Sequence, residues 1–478
     1  MKTQKICDRF CFGWTTIRAA LLFLALGAMP LPAQTFNTLF SFDGTNGGEP
    51  LSSLVQGTNG NYYGTTSAGG LYGMLGCSPC AFGGTVFEIT PAGSLTTLYN
   101  FCAKTNCTDG SFPSTALVET VNGTFWGTTQ VGGALNDGTI FKVSAAGSLT
   151  TLHSFDKTDG EYPVSLILAR DGNFYGTTFA GGSKGAGTVF KITPTGTFAK
   201  LHDFCQKRNC TDGSSPAGII QASDGNLYGT AASNGSGVLF KITTGGKFSI
   251  LYGFSGGEDG SVPGTLLQAI DGNIYGTAGS GNFSNTGTFF KITLGGAFTL
   301  LYDFCSLANC ADGRNPEGPF VQAMDGNFYG TTNGGLGDSD CTAFEITPTG
   351  NLTTLYTFDN LSCDTQGLMQ ATNGTFYGAT YFLGSDGVGT IYSLSTGLGS
   401  FAQTVPTSAK VGSPVVILGN NLTGTTSVKF NGTTTTFTVV SDTEIKTDVP
   451  TGASTGYVTV TTPTGVLNSN AQFQVNSK

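Results

Sequence analysis

Through most of the chain, apolar and polar positions alternate in short runs broken by Gly, and no stretch keeps the three-to-four-residue spacing of an amphipathic helix. Runs such as Gly84-Thr85-Val86-Phe87-Glu88-Ile89, Gly187-Thr188-Val189-Phe190-Lys191-Ile192 and Leu352-Thr353-Thr354-Leu355-Tyr356 join β-branched and aromatic residues between glycines. That composition predicts strands. An aromatic-Gly phrase recurs at Tyr63, Trp126, Tyr175, Tyr228, Tyr275, Tyr329 and Tyr377, with spacings of 63, 49, 53, 47, 54 and 48 residues. Before each stands Asn-Gly or Asp-Gly (Asn59-Gly60, Asn122-Gly123, Asp171-Gly172, Asp224-Gly225, Asp271-Gly272, Asp325-Gly326, Asn373-Gly374). Such pairs favour the positive backbone angles of tight hairpins. A short apolar run lies upstream of each turn and two more strand phrases lie downstream, so each unit holds four strands. Seven four-stranded units without helices predict an all-β fold, a seven-bladed β-propeller.

The order of phrases also predicts how the ring closes. The fourth-strand phrase appears first at Phe36-Asn37-Thr38-Leu39-Phe40, ahead of any hairpin, whereas the seventh unit stops after its third strand near Ser395. An N-terminal strand therefore completes the last blade and protects its edge. From about Gln403 the phrases change to Val415-Val416-Ile417-Leu418, Val428-Lys429-Phe430 and Tyr457-Val458-Thr459-Val460. Alternation over these runs predicts a small antiparallel sandwich. The expected organisation is an export signal over 1–33, the propeller over 34–401 and an Ig-like domain over 402–478.

Taken together, Asp-Gly-Asn-aromatic-Tyr-Gly-Thr-Thr, then Gly-Thr-Val-Phe-Lys-Ile-Thr, then Leu-Thr-Thr-Leu-Tyr-x-Phe resemble the GloVer tandem repeat of secreted bacterial proteins, over roughly Phe36 to Phe401. Thr230-Ala231 in the fourth unit and Ala379 in the seventh depart from it mildly. The segment after Gln403 is similar to the IPT/TIG family of immunoglobulin-like domains. The first resemblance implies architecture and location; the second implies a binding or spacer module.

Composition narrows the setting. Of 478 residues 73 are Gly and 11% are charged, with a formal net charge of -9. Phosphate backbones are bound mainly by Lys and Arg, so nucleic acid is excluded as a partner. Lys2, Lys5, Arg9 and Arg18, an 11-residue apolar run from Ala19 to Met29, and Leu31-Pro32-Ala33 have the form of an export signal. Without residues 1–33, which hold four cations and Asp8, 17 cations face 29 anions, a net -12. No later run is long enough to span a bilayer, so a secreted or surface location is expected.

Ten of the 12 cysteines follow the signal, an even number that suits disulfides in an oxidising compartment. Cys102/Cys107, Cys205/Cys210 and Cys305/Cys310 repeat one C-x4-C spacing and predict three local staples. Cys77 with Cys80 and Cys341 with Cys363 are the remaining expected pairs. Zinc needs four ligands, and the two His lie beside no Cys pair.

Candidates for chemistry are few. His153 and His202 occupy the fourth-strand position held elsewhere by Tyr99, Tyr252, Tyr302 and Tyr356. Their expected role is packing, and Trp126 likewise replaces a repeat Tyr. Asp109, Asp159, Asp212, Asp259 and Asp312 each precede Gly in the loop entering a blade. One carboxylate per loop is too little for calcium, and Asp as a turn former is the expectation. Lys142, Lys191, Lys241 and Lys291 share one third-strand position and suggest a solvated face. Gln56, Glu119, Gln221, Gln268, Gln322 and Gln370 fall at one place in the first strand, interrupted by Leu168 in the third unit. They form either a polar channel ring for hydroxyl-rich ligands or internal hydrogen bonds between blades, the latter being favoured. No catalytic motif, metal site or cofactor is expected.

These readings point to an exported non-catalytic recognition or scaffold protein whose partner is a polysaccharide or a surface protein. A polysaccharide-degrading enzyme at the channel mouth and a structural surface-layer protein are the alternatives. Convergence of Glu119, Arg314, Glu317, Asp338 and Tyr381 in one pocket would favour the enzyme; scatter would favour binding.

Overall fold

The computed structural model describes residues 34–72, 83–233, 235–280, 286–334, 341–358 and 364–476. The expected signal, Cys77, Cys80, Cys363 and Asp338 lie outside them. Among the described residues the repeat region folds into seven antiparallel sheets, all four-stranded except the second. The third unit is representative, with Glu161–Leu168, Phe174–Ala180, Thr188–Ile192 and Phe198–Asp203 pairing in chain order. In the second unit the first strand is split into Ser111–Pro113 and Val118–Glu119, both paired with Thr124–Val131. The last sheet takes its outer strand from the N-terminal end. Thr35–Ser41 pairs with Thr390–Ser395, from Thr35 opposite Ser395 to Ser41 opposite Thr390.

The repeat phrases are explained by how the sheets stack. Middle strands are buried on both faces, so Tyr175 and Phe190 are both fully enclosed. Most phrase aromatics lie on a ring of the following unit, Tyr63 on Phe125 at 4.1 Å, Trp126 on Phe174 at 4.0 Å and Tyr329 on Phe376 at 4.4 Å, while Tyr175 and Tyr228 share a core with Leu227 and Ile274 instead. The step from last to first unit is built the same way, Tyr377 meeting Tyr62 at 4.2 Å. Gly follows each aromatic because no side chain fits there: a Cβ on Gly176 would collide with the Ser165 carbonyl and the Phe190 ring. Threonines then tie second to third strand through paired hydroxyls, as in Thr66–Thr85 (2.8 Å), Thr178–Thr188 (2.9 Å) and Thr380–Thr390 (2.7 Å).

A separate apolar core fills each interface between consecutive units, and Phe42, Leu54, Tyr62, Ala371, Tyr377 and Ile391 form the one joining the seventh to the first. The stacked sheets thus return on themselves as a propeller. Each fully buried Phe or Ile contributes about 1.5–3 kcal/mol.

The C-terminal segment forms an Ig-like sandwich with its own core of Val415, Ile417, Val428, Phe430, Ile445 and Val460. One sheet orders Gln403–Val405, Pro414–Leu418, Glu444–Asp448 and Phe437–Val439; the other orders Thr433–Thr434, Ser427–Phe430, Val458–Thr462 and Gly465–Asn468. It rests on the first-to-second-strand hairpins of the propeller. Asn420 Nδ2 donates to Thr372 Oγ1 at 2.9 Å, Asn476 Nδ2 to the Arg170 carbonyl at 3.0 Å, and Phe401 N–H to the Thr372 carbonyl at 2.9 Å. One end of the ring is covered in this way, and among the described residues no domain covers the other, the open end.

Candidate functional site: the open mouth of the ring

The first strands begin at the open end, where they wall a cavity of about 920 Å³. Its lining comes from equivalent positions of successive units, including Ser52, Thr115, Val164, Ala217, Gly264 and Gly318. Among the residues whose side chains are described, a set that does not include Glu317, no Asp, Glu, Lys, Arg or His lines it. The wall is therefore apolar side chains, Ser and Thr hydroxyls and backbone. Such a wall can hold a neutral ligand and direct a few hydrogen bonds, but it has no group to exchange protons near neutral pH.

The first-strand amides sit at the opposite, covered end and do not line this cavity. Gln221 Oε1 accepts the Arg170 N–H at 2.8 Å, Gln268 Oε1 the Ser223 N–H at 2.6 Å and Gln322 Oε1 the Ile270 N–H at 2.9 Å. Each bond reaches the hairpin of the preceding unit. Gln56 makes the same bond across the ring closure, to the Thr372 N–H at 2.8 Å. The amide nitrogens of Gln221, Gln268, Gln322 and Gln370 donate to the carbonyl four residues on. Glu119 accepts the Thr58 N–H at 3.1 Å, while its Oε2 is buried without a hydrogen-bond partner. Burial, reinforced by Glu444 of the C-terminal domain, pushes its pKa up to about 7. Gln370 Oε1 is also unpartnered, and Leu168 has nothing to offer at its step.

The loop carboxylates are turn anchors. Asp109 accepts the Tyr99 hydroxyl at 2.7 Å and the Ala103 N–H at 3.0 Å; Asp312 accepts Tyr302 at 2.8 Å and the Ser306 N–H at 2.9 Å. Asp212, Asp159 and Asp259 do the same with Gln206, His153 and Tyr252. Among the described residues no group of three His, Cys, Asp or Glu is placed to hold a metal. Beside these loops lie the disulfides Cys102–Cys107, Cys205–Cys210 and Cys305–Cys310, and Cys341 is disulfide-bonded as well. His153 and His202 stack on Phe198 and Phe248 at 3.9 Å, in the manner of Tyr252 on Phe298. Lys191 and Lys241 pair with Asp171 and Asp224 at the surface.

Of the five non-repeat residues, the Glu317 side chain and Asp338 lie outside what is described, and Glu119, Arg314 and Tyr381 do not converge. Glu119 lies at the covered end, whereas the Tyr381 hydroxyl donates to Glu49 Oε2 at 2.7 Å at the open end. Arg314 is half-buried on the open lip and lines no cavity.

One feature of this lip escapes sequence reasoning. Glu49, Phe112, Tyr162, Ser215, Val262, Asn315 and Asp364, one per unit, all have φ between 27° and 59°. Six of them stand in Gly-x-X-Pro, a spacing visible in the sequence; the backbone angle is not.

Residues 28–231 and 205–367 match the model of the Gloeobacter/Verrucomicrobia repeat. The chain belongs to the Gloeobacter/Verrucomicrobia repeat family. In this member of the family, residues 402–475 also match the IPT/TIG domain. Among curated proteins, none matches the chain. Among solved structures, the repeat protein is similar to a streptogramin B lyase, at 16% identity and a TM-score of 0.54, covering 76% of this chain and 97% of that one. It is more loosely similar to a gluconolactonase from Xanthomonas campestris (12% identity, TM-score 0.41, 76% and 90% covered). A PQQ-bound aldose sugar dehydrogenase from Streptomyces coelicolor is comparable (12%, 0.38, 76% and 98%). The likeness to the streptogramin B lyase concerns the fold alone.

Proposed function

We propose that this repeat protein is exported and recognises a neutral extracellular or cell-envelope polysaccharide at the open mouth of its propeller without transforming it. The observation that carries this reading is the lining of the 920 Å³ cavity, hydroxyl and apolar with no ionisable side chain among those described. Apolar wall suits the C–H faces of sugar rings, and Ser and Thr suit their hydroxyls. Export is supported by the basic and apolar start of the chain and by the disulfides. Among the described residues no helix is long and apolar enough to cross a membrane.

A polysaccharide-degrading reading is favoured by one local arrangement. Tyr381 donates its hydroxyl to Glu49 and its N–H to the Asp364 carbonyl, so two acidic residues flank one phenol at the lip. Incubation of the purified mature chain with insoluble and soluble polysaccharides, scoring retention and released oligosaccharides together, decides between the two. Retention without products is expected. Products that disappear in Tyr381→Phe would replace binding by catalysis.

A further inference from the structure

The seven left-handed residues on the open lip carry more than architecture. A residue followed by Pro is steered away from the right-handed helical region, and Pro50, Pro113, Pro163, Pro216, Pro263 and Pro316 follow six of them. The N–H of those same six is fixed to a carbonyl of the preceding unit, at 2.7 to 3.1 Å. In the seventh, Thr365 N–H donates to Asn333 Oδ1 at 2.7 Å. In the first six units the backbone at this position is thus set by contacts that ignore the side chain, whereas in the seventh the Asp364 carboxylate itself accepts Asn333 Nδ2 at 2.9 Å and Gln366 Nε2 at 3.0 Å.

Gly takes up such an angle without strain, whereas a β-branched or bulky side chain resists it. This chain uses Gly for the positive angles of its hairpins, at Gly60, Gly123, Gly172, Gly225, Gly272, Gly326 and Gly374. At the residue before the lip prolines it never does, although the Gly two residues earlier, such as Gly110 or Gly213, also has a positive φ. Seven units hold seven different residues there, Val and Phe among them, in a chain whose units otherwise repeat their phrases closely. A position that only turned the chain would settle on Gly or Asn. Strain kept in place of an available Gly is what a site retained for its side chains looks like.

The placement points the same way. Ser215 and Val262 line the cavity, and Glu49, Phe112, Tyr162 and Asn315 lie one or two residues before the lining residues Leu51, Ser114, Val164 and Pro316, whereas Asp364 in the seventh unit adjoins none. Val262 is 52% exposed, Tyr162 37%, and the neighbouring lining residue Phe179 50%. Units three and five thus present an apolar lip, with Ser215 between them. Units six, seven and one present Asn315, Asp364 and Glu49, with Tyr381 between the last two.

We propose that the six of these side chains that adjoin the cavity, with Phe179 beside them, are the ligand-reading ring of the mouth. Tyr162, Phe179 and Val262 seat the apolar faces of a neutral glycan, and Asn315 and Glu49 meet its hydroxyls on the other side. The assignment rests on the glycan-binding reading and names the residues that give it specificity.

The test uses substitutions that suit the backbone. Tyr162→Gly with Val262→Gly, and separately Val262→Asn, are measured in the full mature chain for melting temperature and for binding to neutral β-glucan, xylan and mannan hexasaccharides. Melting temperature is expected to hold or rise, while binding of the preferred hexasaccharide falls at least tenfold in the double variant. Equal binding by wild type and variants overturns the ring and leaves the glycan reading standing. A fall in melting temperature that accompanies lost binding overturns it too, since the side chains would then be structural. Absence of any binding by the wild type overturns the glycan reading itself and, with it, the ring.

Discussion

At the covered end of the ring the units repeat one chemistry, a first-strand side chain accepting a hairpin N–H of the preceding unit; at the open end, one backbone position carries a different residue in every unit. Both ends are bound unit to unit through the backbone, so the difference is not one of rigidity. It lies in what the side chains are used for. Gln221 and Gln268 are consumed by the scaffold, which leaves them nothing to offer a ligand. Tyr162 and Val262 contribute nothing the scaffold requires, since backbone bonds alone hold their position. Repetition marks structure in this molecule, and departure from it at fixed geometry marks the face proposed for recognition.

The largest effect expected is on ring closure, which both ends share. Phe42 follows the N-terminal strand, is fully buried between the seventh and first units, and meets Phe87 edge-on at 5.4 Å. Phe42→Ala should cost about 3–5 kcal/mol, the usual range for emptying an aromatic site. Urea denaturation measures it. A loss below about 1 kcal/mol, typical of surface positions, would mean that the N-terminal strand does not hold the ring together.

Much of this architecture was legible before the structure. The phrases place four strands per unit, and the stray fourth-strand phrase at Phe36–Phe40 tells where the closing strand goes, because strand composition and turn residues are local signals. What was not legible depends on neighbours distant in sequence. Gln56 bonds a residue 316 positions away, so its role could be framed only as channel ring or blade contact. Neither Phe112 nor Val262 advertises a positive φ, since both residue types avoid it. The absence of charge from the described side chains of the cavity likewise emerges only when one short stretch from each of six units is brought together. Nor does the Ig-like sequence reveal which end of the ring it covers.

The next effect tests the covered end. Glu119 stands where four other units carry a Gln that accepts an N–H of the preceding unit, and its second oxygen is buried without a partner. Because burial raises its folded pKa to about 7 from 4.5, the folded state holds a proton that the unfolded chain releases earlier. Its contribution is fully present below about pH 4.5 and is lost as pH rises through about 7. Glu119→Gln, able to donate to the Gly123 carbonyl as its counterparts do, should stabilise by about 2 kcal/mol at pH 8 and change little at pH 4. Thermal melts at the two pH values check this. Equal effects at both would show that the carboxyl is not protonated in the folded chain.

At the open end the disulfide loops offer a smaller effect. Cys102→Ser with Cys107→Ser opens a loop of sequence separation 5, for which chain entropy gives about 2 kcal/mol as an upper figure. Asp109 still receives the Tyr99 hydroxyl and two backbone N–H groups in that variant, so part of the loop order should survive. Urea denaturation of the double variant should show a loss of at most that size. A larger one would make the staples, rather than the aspartates, the principal support of the lip.

The smallest effect predicted is none at all, and it bears on the contrast between the ends most directly. The C-terminal sandwich has a core of its own and touches the propeller through hairpin residues such as Thr372 and Arg170. A chain ending at residue 401 keeps the seven interfaces between units and loses only contacts at the covered end. Binding at the open mouth should then match the full-length protein within twofold in the same hexasaccharide titration. If removal of the sandwich abolishes binding while the melt of the propeller is retained, the ligand sits between hairpins and sandwich, and the uniform end, not the variable one, is the reading face.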